Sequence, residues 1–316
     1  MARASDRYHG VLLLDKPLGI SSHAAVDRVR NIIRQRSIGH AGTLDPAAEG
    51  LLVLCLGRAT KVVRFLAADV KTYEASITLG RESATYDAEG IDLSVPAKPI
   101  PELDRAGLDS TLDSFRGTII QRVPAFSAVH VGGQRLYKSA RRGEEVVLPE
   151  REITISSLEL LSFGSDTVSI RVTCSKGTYI RSLAHDIGQA LDCGGYLSRL
   201  KRISAGRHAL KEAVTIDRVA ELHQNDRLND QLIPIEKALD FAAVTISDKS
   251  SRFVLNGRTP EPSDVISIEG AFAPGDRIFL KDRTGLLLAV GTAAFASQQP
   301  PHERPGTILR YDRVFN

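Results

Sequence analysis

Apolar and polar residues alternate along this chain in a way that divides it into short strands and a few amphipathic helices. Residues 10–16 form an apolar run of strand length. Pro17 and Gly19 then turn the chain, and Ser21 or Ser22 caps a helix carrying Val26, Val29, Ile32 and Ile33 on one face. A break at Gly39 opens a tight connection in which Gly42 and Pro46 confine Asp45, and this leads into the continuous apolar stretch 50–57, read as a buried strand. Helical spacing returns at Val62, Val63, Phe65 and Leu66. In residues 72–79 Tyr73, Ala75, Ile77 and Leu79 alternate with polar neighbours, the pattern of a half-buried strand, and residues 87–90 end that unit as a turn.

Residues 153–163 and 167–175 read as two strands about a turn at 164–166, with Val168, Ile170, Val172 and Cys174 alternating. A helix over 179–191 turns Ile180, Leu183, Ala184, Ile187 and Leu191 inward. Beyond residue 244 the segments become short and β-like, separated by Gly, Pro and Asp. The pattern predicts an α+β protein with a mixed, mainly antiparallel sheet over residues 1–240 and a small β-rich domain over 241–316. Residues 124–152, rich in Gly and Arg, are too polar for core and read as an insertion projecting from the sheet.

Composition narrows the class. A chain of 316 residues, 42% hydrophobic and 25% charged, has the make-up of an ordinary globular protein of about two domains. Cys55, Cys174 and Cys193 are widely spaced with no Cys-x-x-Cys pair, which argues against a disulfide framework or a zinc site and for a reducing compartment. No apolar run approaches the ~20 residues of a membrane span, and residues 1–9 lack the apolar core of a signal peptide, so a cytoplasmic protein is expected.

The net charge of +3 leaves a nucleic-acid partner open, and local clustering favours one. Residues 134–142 place Arg135, Lys138, Arg141 and Arg142 around Tyr137. Residues 196–211 place Arg199, Lys201, Arg202, Arg207 and Lys211 among Leu197, Leu200 and Ile203. Read as loops or helix ends, both clusters suit a phosphate backbone; read blandly, they are solvated faces.

Asp45 is the first candidate for chemistry, although alone it also fits a turn whose Asp caps its own backbone. Arg181 sits about one turn into its helix, where it could pair with a carboxylate such as Asp45, meet a phosphate, or join an ordinary surface pair. Tyr73 fits a core aromatic as well as a stacking surface, and His40 a loop residue bonded to backbone. The sequence holds no Gly-x-x-x-x-Gly-Lys-Ser/Thr loop, no Gly-x-Gly-x-x-Gly after a strand, no His-Glu-x-x-His and no Gly-x-Ser-x-Gly. The remaining candidates suit covalent or acid–base catalysis without metal or organic cofactor.

Five ordered motifs carry a resemblance. They are Asp15-Lys16-Pro17-Leu18-Gly19-Ile20-Ser21-Ser22, Gly39-His40-Ala41-Gly42-Thr43-Leu44-Asp45-Pro46, Lys71-Thr72-Tyr73-Glu74-Ala75, Lys176-Gly177-Thr178-Tyr179-Ile180-Arg181-Ser182-Leu183 and Leu200-Lys201-Arg202. The chain resembles the bacterial tRNA pseudouridine synthase B family, which isomerises uridine 55 in the T-loop of tRNA. The resemblance implies the pseudouridine synthase fold with a PUA-like C-terminal domain, and no cofactor. It places Asp45 on the catalytic aspartate, Tyr73 on the tyrosine stacking against the target base, and Arg181 on the arginine paired with the aspartate. Leu200 falls on an apolar pocket wall and His40 on the histidine of base extrusion, while Tyr179, Arg199, Lys201 and Arg202 are expected at the substrate. The implied partner is the T-arm stem-loop of tRNA, bound by a monomer needing no protein partner and no membrane. Phe126-Ser127-Ala128-Val129-His130 and Val123-Pro124 depart from the family pattern. The alternatives are a non-catalytic RNA-binding protein or tRNA-folding chaperone, which would not require Asp45, Tyr73 and Arg181 together, and a guide-dependent relative, expected to carry long basic tails where this chain ends at Asn316.

Overall fold

The computed structural model describes residues 6–315 except 69, 128, 132–133, 138–141, 143, 145–146, 255, 301–302 and 304–305. A long mixed sheet is built from β1 (Gly10–Lys16), β2 (Ile38–Ala41), β3 (Ala48–Leu56), β4 (Lys71–Leu79), β5 (Gly117–Arg122), β8 (Glu150–Phe163), β9 (Thr167–Cys174), β10 (Gly195–Ala205) and β11 (His208–Ala209). A separate short hairpin pairs β6 (His130–Val131) with β7 (Gln134–Arg135). The main path runs β1-β3-β10-β4-β9-β8-β5, with β2 beside β3 and β11 beside β10. Every pairing along it is antiparallel except β3 with β10, where Leu200, Lys201 and Arg202 run parallel to Ala48, Glu49 and Gly50.

Two groups of helices pack on this sheet. In one, α3 (Arg105–Asp113) and α4 (Ile180–Ala190) bury Leu108, Leu112, Leu183 and Ile187 against Ile77, Val168, Ile170 and Val172. In the other, α1 (Ser22–Ile33) and α5 (Ile216–Gln224) pack Val26, Val29, Val219 and Leu222 on Leu12, Leu14, Leu52 and Leu54. Ser21 caps α1 by accepting a hydrogen bond from the Ala24 amide at 3.0 Å, as the sequence pattern predicts. A second sheet, in the order β13-β12-β14-β15-β16, comprises β12 (Ala242–Ile246), β13 (Val265–Glu269), β14 (Arg277–Lys281), β15 (Leu287–Ala293) and β16 (Leu309–Val314). It docks on the first through a shared apolar cluster in which Val62 and, from the short helix α2 (Val63–Leu66), Phe65 meet Phe279, Val290 and Phe315. No described helix is long and apolar enough to cross a membrane.

Three expectations are corrected. The segment 196–211 is neither loop nor helix end; most of it is β10, whose alternation is broken by irregular register at Leu197/Arg199 and Arg202/Ser204. Within it Arg202, expected at the substrate, is 1% exposed; it lines the floor of a cleft, and its guanidinium is taken up by the carbonyls of Gly42 and Leu51 rather than left free for a phosphate. His40 lies on strand β2 rather than in a loop. Of the first basic cluster, Lys138 and Arg141 lie outside the described residues, and Arg142 pairs with Glu144 at 2.6 Å.

The parallel contact sets the position of Asp45, because β3 starts three residues beyond it. Gly50 makes the approach possible: its φ is +98°, and a Cβ there would sit 2.5 Å from the Arg202 carbonyl oxygen. Gly50→Ala is therefore expected to lower stability by about 3 kcal/mol, by strain and clash together, read as a fall in the urea midpoint; an unchanged midpoint would show that β3 and β10 tolerate separation.

Candidate active site

The Asp45 loop is held by its neighbours rather than by its own turn. The buried Ser22 hydroxyl donates to the Leu44 carbonyl at 2.9 Å and lies 2.7 Å from the Leu44 amide, whose hydrogen bond it accepts. The Gly19 amide donates to the Pro46 carbonyl at 2.9 Å. From β10 the buried Arg202 guanidinium donates to Gly42 O at 3.0 Å and to Leu51 O at 2.7 Å, tying both flanks of the loop together. Arg202 is thus a strut beneath the site. Lys16 is another: fully buried, it donates to the carbonyls of Pro17 at 3.0 Å and Ile20 at 2.6 Å. Burial pushes its pKa down, opposed by the nearby Asp45 charge.

Arg181 enters from the first turn of α4. That helix start has no side-chain cap from its own residues. Instead the buried Gln121 of β5 accepts from the Tyr179 amide at 2.8 Å and donates to the Tyr179 carbonyl at 3.0 Å. The Arg181 side chain, only 9% exposed, spreads its fork over four acceptors. Nη2 lies 3.2 Å from Asp45 Oδ2 and donates to Phe126 O at 3.1 Å. Nη1 lies 3.3 Å from Asp87 Oδ2 and donates to Thr85 O at 3.1 Å. The two carboxylates differ: the Asp87 side chain is 10% exposed and accepts from the Glu89 amide and the Thr85 hydroxyl, whereas that of Asp45 is 48% exposed and faces open space.

That space is a cleft of about 330 Å³, lined among others by Asp45, Lys71, Tyr73, Tyr179, Arg181 and Leu200. Asp45, Tyr73, Tyr179, Arg181, Leu200 and, at the floor, Arg202 are therefore brought together. Tyr73 is buried, and burial pushes its phenol pKa up against the opposing pull of Arg202, leaving a neutral ring at physiological pH. Arg199 is exposed and borders a small hollow behind the Asp45–Arg181 pair. Lys201 is half-buried and does not line the cleft, nor does His40. The His40 ring is half-buried, with Nδ1 lacking a hydrogen-bond partner, and burial together with Arg202 lowers its pKa, so the imidazole is neutral at pH 7.

The family models "TruB family pseudouridylate synthase (N terminal domain)" and "tRNA pseudouridylate synthase B C-terminal domain" match residues 30–180 and 181–240. The tRNA pseudouridine synthase B of Xanthomonas axonopodis pv. citri is 39% identical over 285 residues, 88% of this chain and 92% of that protein. This chain belongs to the TruB family. The Bacillus subtilis TruB-family protein, also called tRNA pseudouridine synthase B, is 39% identical over 289 residues, 89% and 92% of the two chains. Among solved structures, an H/ACA RNP bound to a substrate RNA containing 2'-deoxyuridine aligns over 98% of this chain and 85% of that one, with a TM-score of 0.75 and 26% identity. The archaeal box H/ACA Nop10-Cbf5 complex aligns with a TM-score of 0.73 and 25% identity, over 98% and 86%. The junction between the two family models falls at the start of α4, so both matched segments of the TruB chain build one sheet and one cleft.

Sequence reasoning missed Asp87, which carried no mark beyond a turn, and Gln121, whose role depends on long-range packing. Lys16 left a signal, being one of two adjacent charged residues, with Asp15, that end an apolar strand. The unequal burial of the two carboxylates has a measurable consequence. Asp87→Asn leaves a buried guanidinium short of a charge and is expected to cost about 3 kcal/mol, whereas Asp45→Asn, at a half-exposed pair, is expected to cost less than about 1 kcal/mol. Urea denaturation of both variants checks this; equal losses would mean that Asp45 is as structural as Asp87.

Proposed function

We propose that this chain isomerises uridine 55 in the T-loop of tRNA to pseudouridine, with Asp45 as the reacting carboxylate. The observation that carries this reading is a carboxylate open to a cleft and held by a buried arginine, in a cleft that an aromatic ring and an apolar side chain also line. A protein that only bound RNA would have no use for burying a guanidinium under two carboxylates beside a pocket.

The chemistry asks for little more than these groups. The target uracil must leave its stack, which costs a few kcal/mol and is offset by stacking on an aromatic surface. Tyr73 supplies that surface, and Leu200 and Tyr179 close the walls of the cleft around the base. The N1–C1′ bond then breaks, the freed base turns, C1′ bonds to C5, and the C5 proton is lost as N1 gains one. Throughout, the carboxylate of Asp45 meets the electron-poor centre, and the Arg181 fork keeps it aimed and shielded from water. Lys176, exposed and lining the cleft, and Arg199, exposed beside the adjoining hollow, meet phosphates of the T-arm in this reading, which their exposure and charge support. The β-rich residues 241–316 supply a PUA-like second RNA surface. The protein acts as a cytoplasmic monomer without cofactor, and His40, neutral beside the loop, assists extrusion of the base.

Incubation with an unmodified tRNA transcript, followed by nucleoside analysis and site mapping, tests the activity. Asp45→Asn is expected to bind this tRNA with a dissociation constant within about twofold of the native protein, since a neutral isostere keeps the surface, yet to yield no pseudouridine in a single turnover. Substantial product from that variant would remove Asp45 from the chemistry. Arg199→Ala is expected to weaken binding and reduce the salt slope by about one. Arg202→Ala, by contrast, should lower stability by about 3 kcal/mol through the unpaired carbonyls it leaves, and a folded Arg202→Ala protein of native stability would contradict its role as a strut.

A further inference from the structure

We propose that the stacked rings of Tyr86 and His185 form a positioning pair that sets Asp87, and through Asp87 and Arg181 the reacting carboxylate. The rings lie with centroids 4.1 Å apart and planes 13° from parallel. Their places in the chain make the contact a second clamp beside the ion pair. His185 follows Arg181 by four residues on α4, so the two share one helix face. Tyr86 immediately precedes Asp87. Two consecutive residues of the 83–90 segment therefore grip two same-face residues of one helix, one by stacking and one by charge.

The backbone adds a second observation. Tyr86 has φ +62°, a left-handed conformation that side chains other than Gly, Asn and Asp rarely adopt, so it persists only where its surroundings over-determine it. Two hydrogen bonds help: the Tyr86 amide donates to Ser83 O at 3.1 Å, and Tyr86 O accepts from the Leu197 amide at 2.9 Å. The stack supplies the remaining restraint. Behind the rings lies a cavity of about 680 Å³ bordered by Arg81, Glu82, Val95 and Lys98, so removal of a ring opens further space. The polar edge of the imidazole gives no comparable anchoring, because His185 Nδ1 is buried without a hydrogen-bond partner; it is the ring face that is used. Asp87 in turn is the deeply buried carboxylate on Arg181, and a rotation of the 83–90 segment would release Nη1 and turn Nη2 away from Asp45.

This inference rests on the function proposed above, and its test separates the two. Single-turnover pseudouridine formation and tRNA affinity are measured for the native protein, Tyr86→Phe, Tyr86→Ala, Asp87→Asn and the Tyr86→Ala/Asp87→Asn double variant. Tyr86→Phe, which keeps the stack, is expected within about twofold of the native rate. Tyr86→Ala is expected to lose about tenfold or more, since misplacement on the scale of 1 Å suffices for that, with the dissociation constant for tRNA changed less than about twofold. In the Asp87→Asn background the Tyr86→Ala loss should shrink, because its main route is through that carboxylate, with the neighbouring Thr85 carbonyl on the same segment carrying the rest. A native rate for Tyr86→Ala, or a loss undiminished in the double variant, overturns the positioning pair. If Tyr86→Ala does not fold, His185→Ala removes the other ring and is read in the same way. If the native protein forms no pseudouridine, the proposed function falls, and a crystal structure of the ring-deleted variant decides the inference: a guanidinium displaced from Asp45 supports it, and one unmoved overturns it.

Discussion

The site depends on one guanidinium taken almost entirely out of water. Burying Arg181 is costly unless nearly every donor finds an acceptor, and the fold supplies four, two of them charged. Asp87 and the carbonyls of Thr85 and Phe126 hold the fork in one plane. Asp45 completes it from the solvent side. Because three contacts fix the arginine before the fourth is made, the carboxylate in the cleft needs no support from its own loop beyond correct placement of its backbone. Arginine suits this task through its planar set of five donors, which a lysine ammonium does not reproduce.

Backbone placement comes from the sheet. The parallel run of β3 along β10 brings the 42–47 loop over the strand that carries Leu200 and Arg202, and β4 on the other side of β10 brings Tyr73 opposite Arg202. One buried strand thus delivers the apolar wall and, through the strut beneath it, both the loop and the aromatic surface. Rigid elements hold the groups that act, and the surfaces that would meet a large polyanion lie at strand ends and in the loops around the cleft.

How much of this was legible in sequence follows from what each residue depends on. The strands with clean alternation, β4 and β9, and the capped helix α1 were readable because local pattern and burial agree there. The segment β10 was not, since irregular register and a buried arginine replaced its alternation with a basic stretch that looks solvated. Helices α3 and α5 each bury only two residues, Leu108 and Leu112 in one and Val219 and Leu222 in the other, too few to mark a period. Asp45, Tyr73, Arg181, Tyr179, Leu200 and Arg202 were named from motifs and do line one cleft, Arg202 from its floor with its guanidinium bonded to backbone carbonyls, while Lys201 and His40 stand off from it. Asp87 escaped because an aspartate in a turn has an ordinary local explanation, and only the fold reveals that its partner is 94 residues away.

Replacement of Arg181 by lysine tests the central dependence most directly, because it keeps the charge and removes the fork. With unmodified tRNA transcript, single-turnover formation of pseudouridine by Arg181→Lys is expected to fall by about a hundredfold or more while tRNA affinity stays within about twofold, as for the loss of an oriented charge stabiliser. A lysine variant that forms pseudouridine at the native rate would contradict the account.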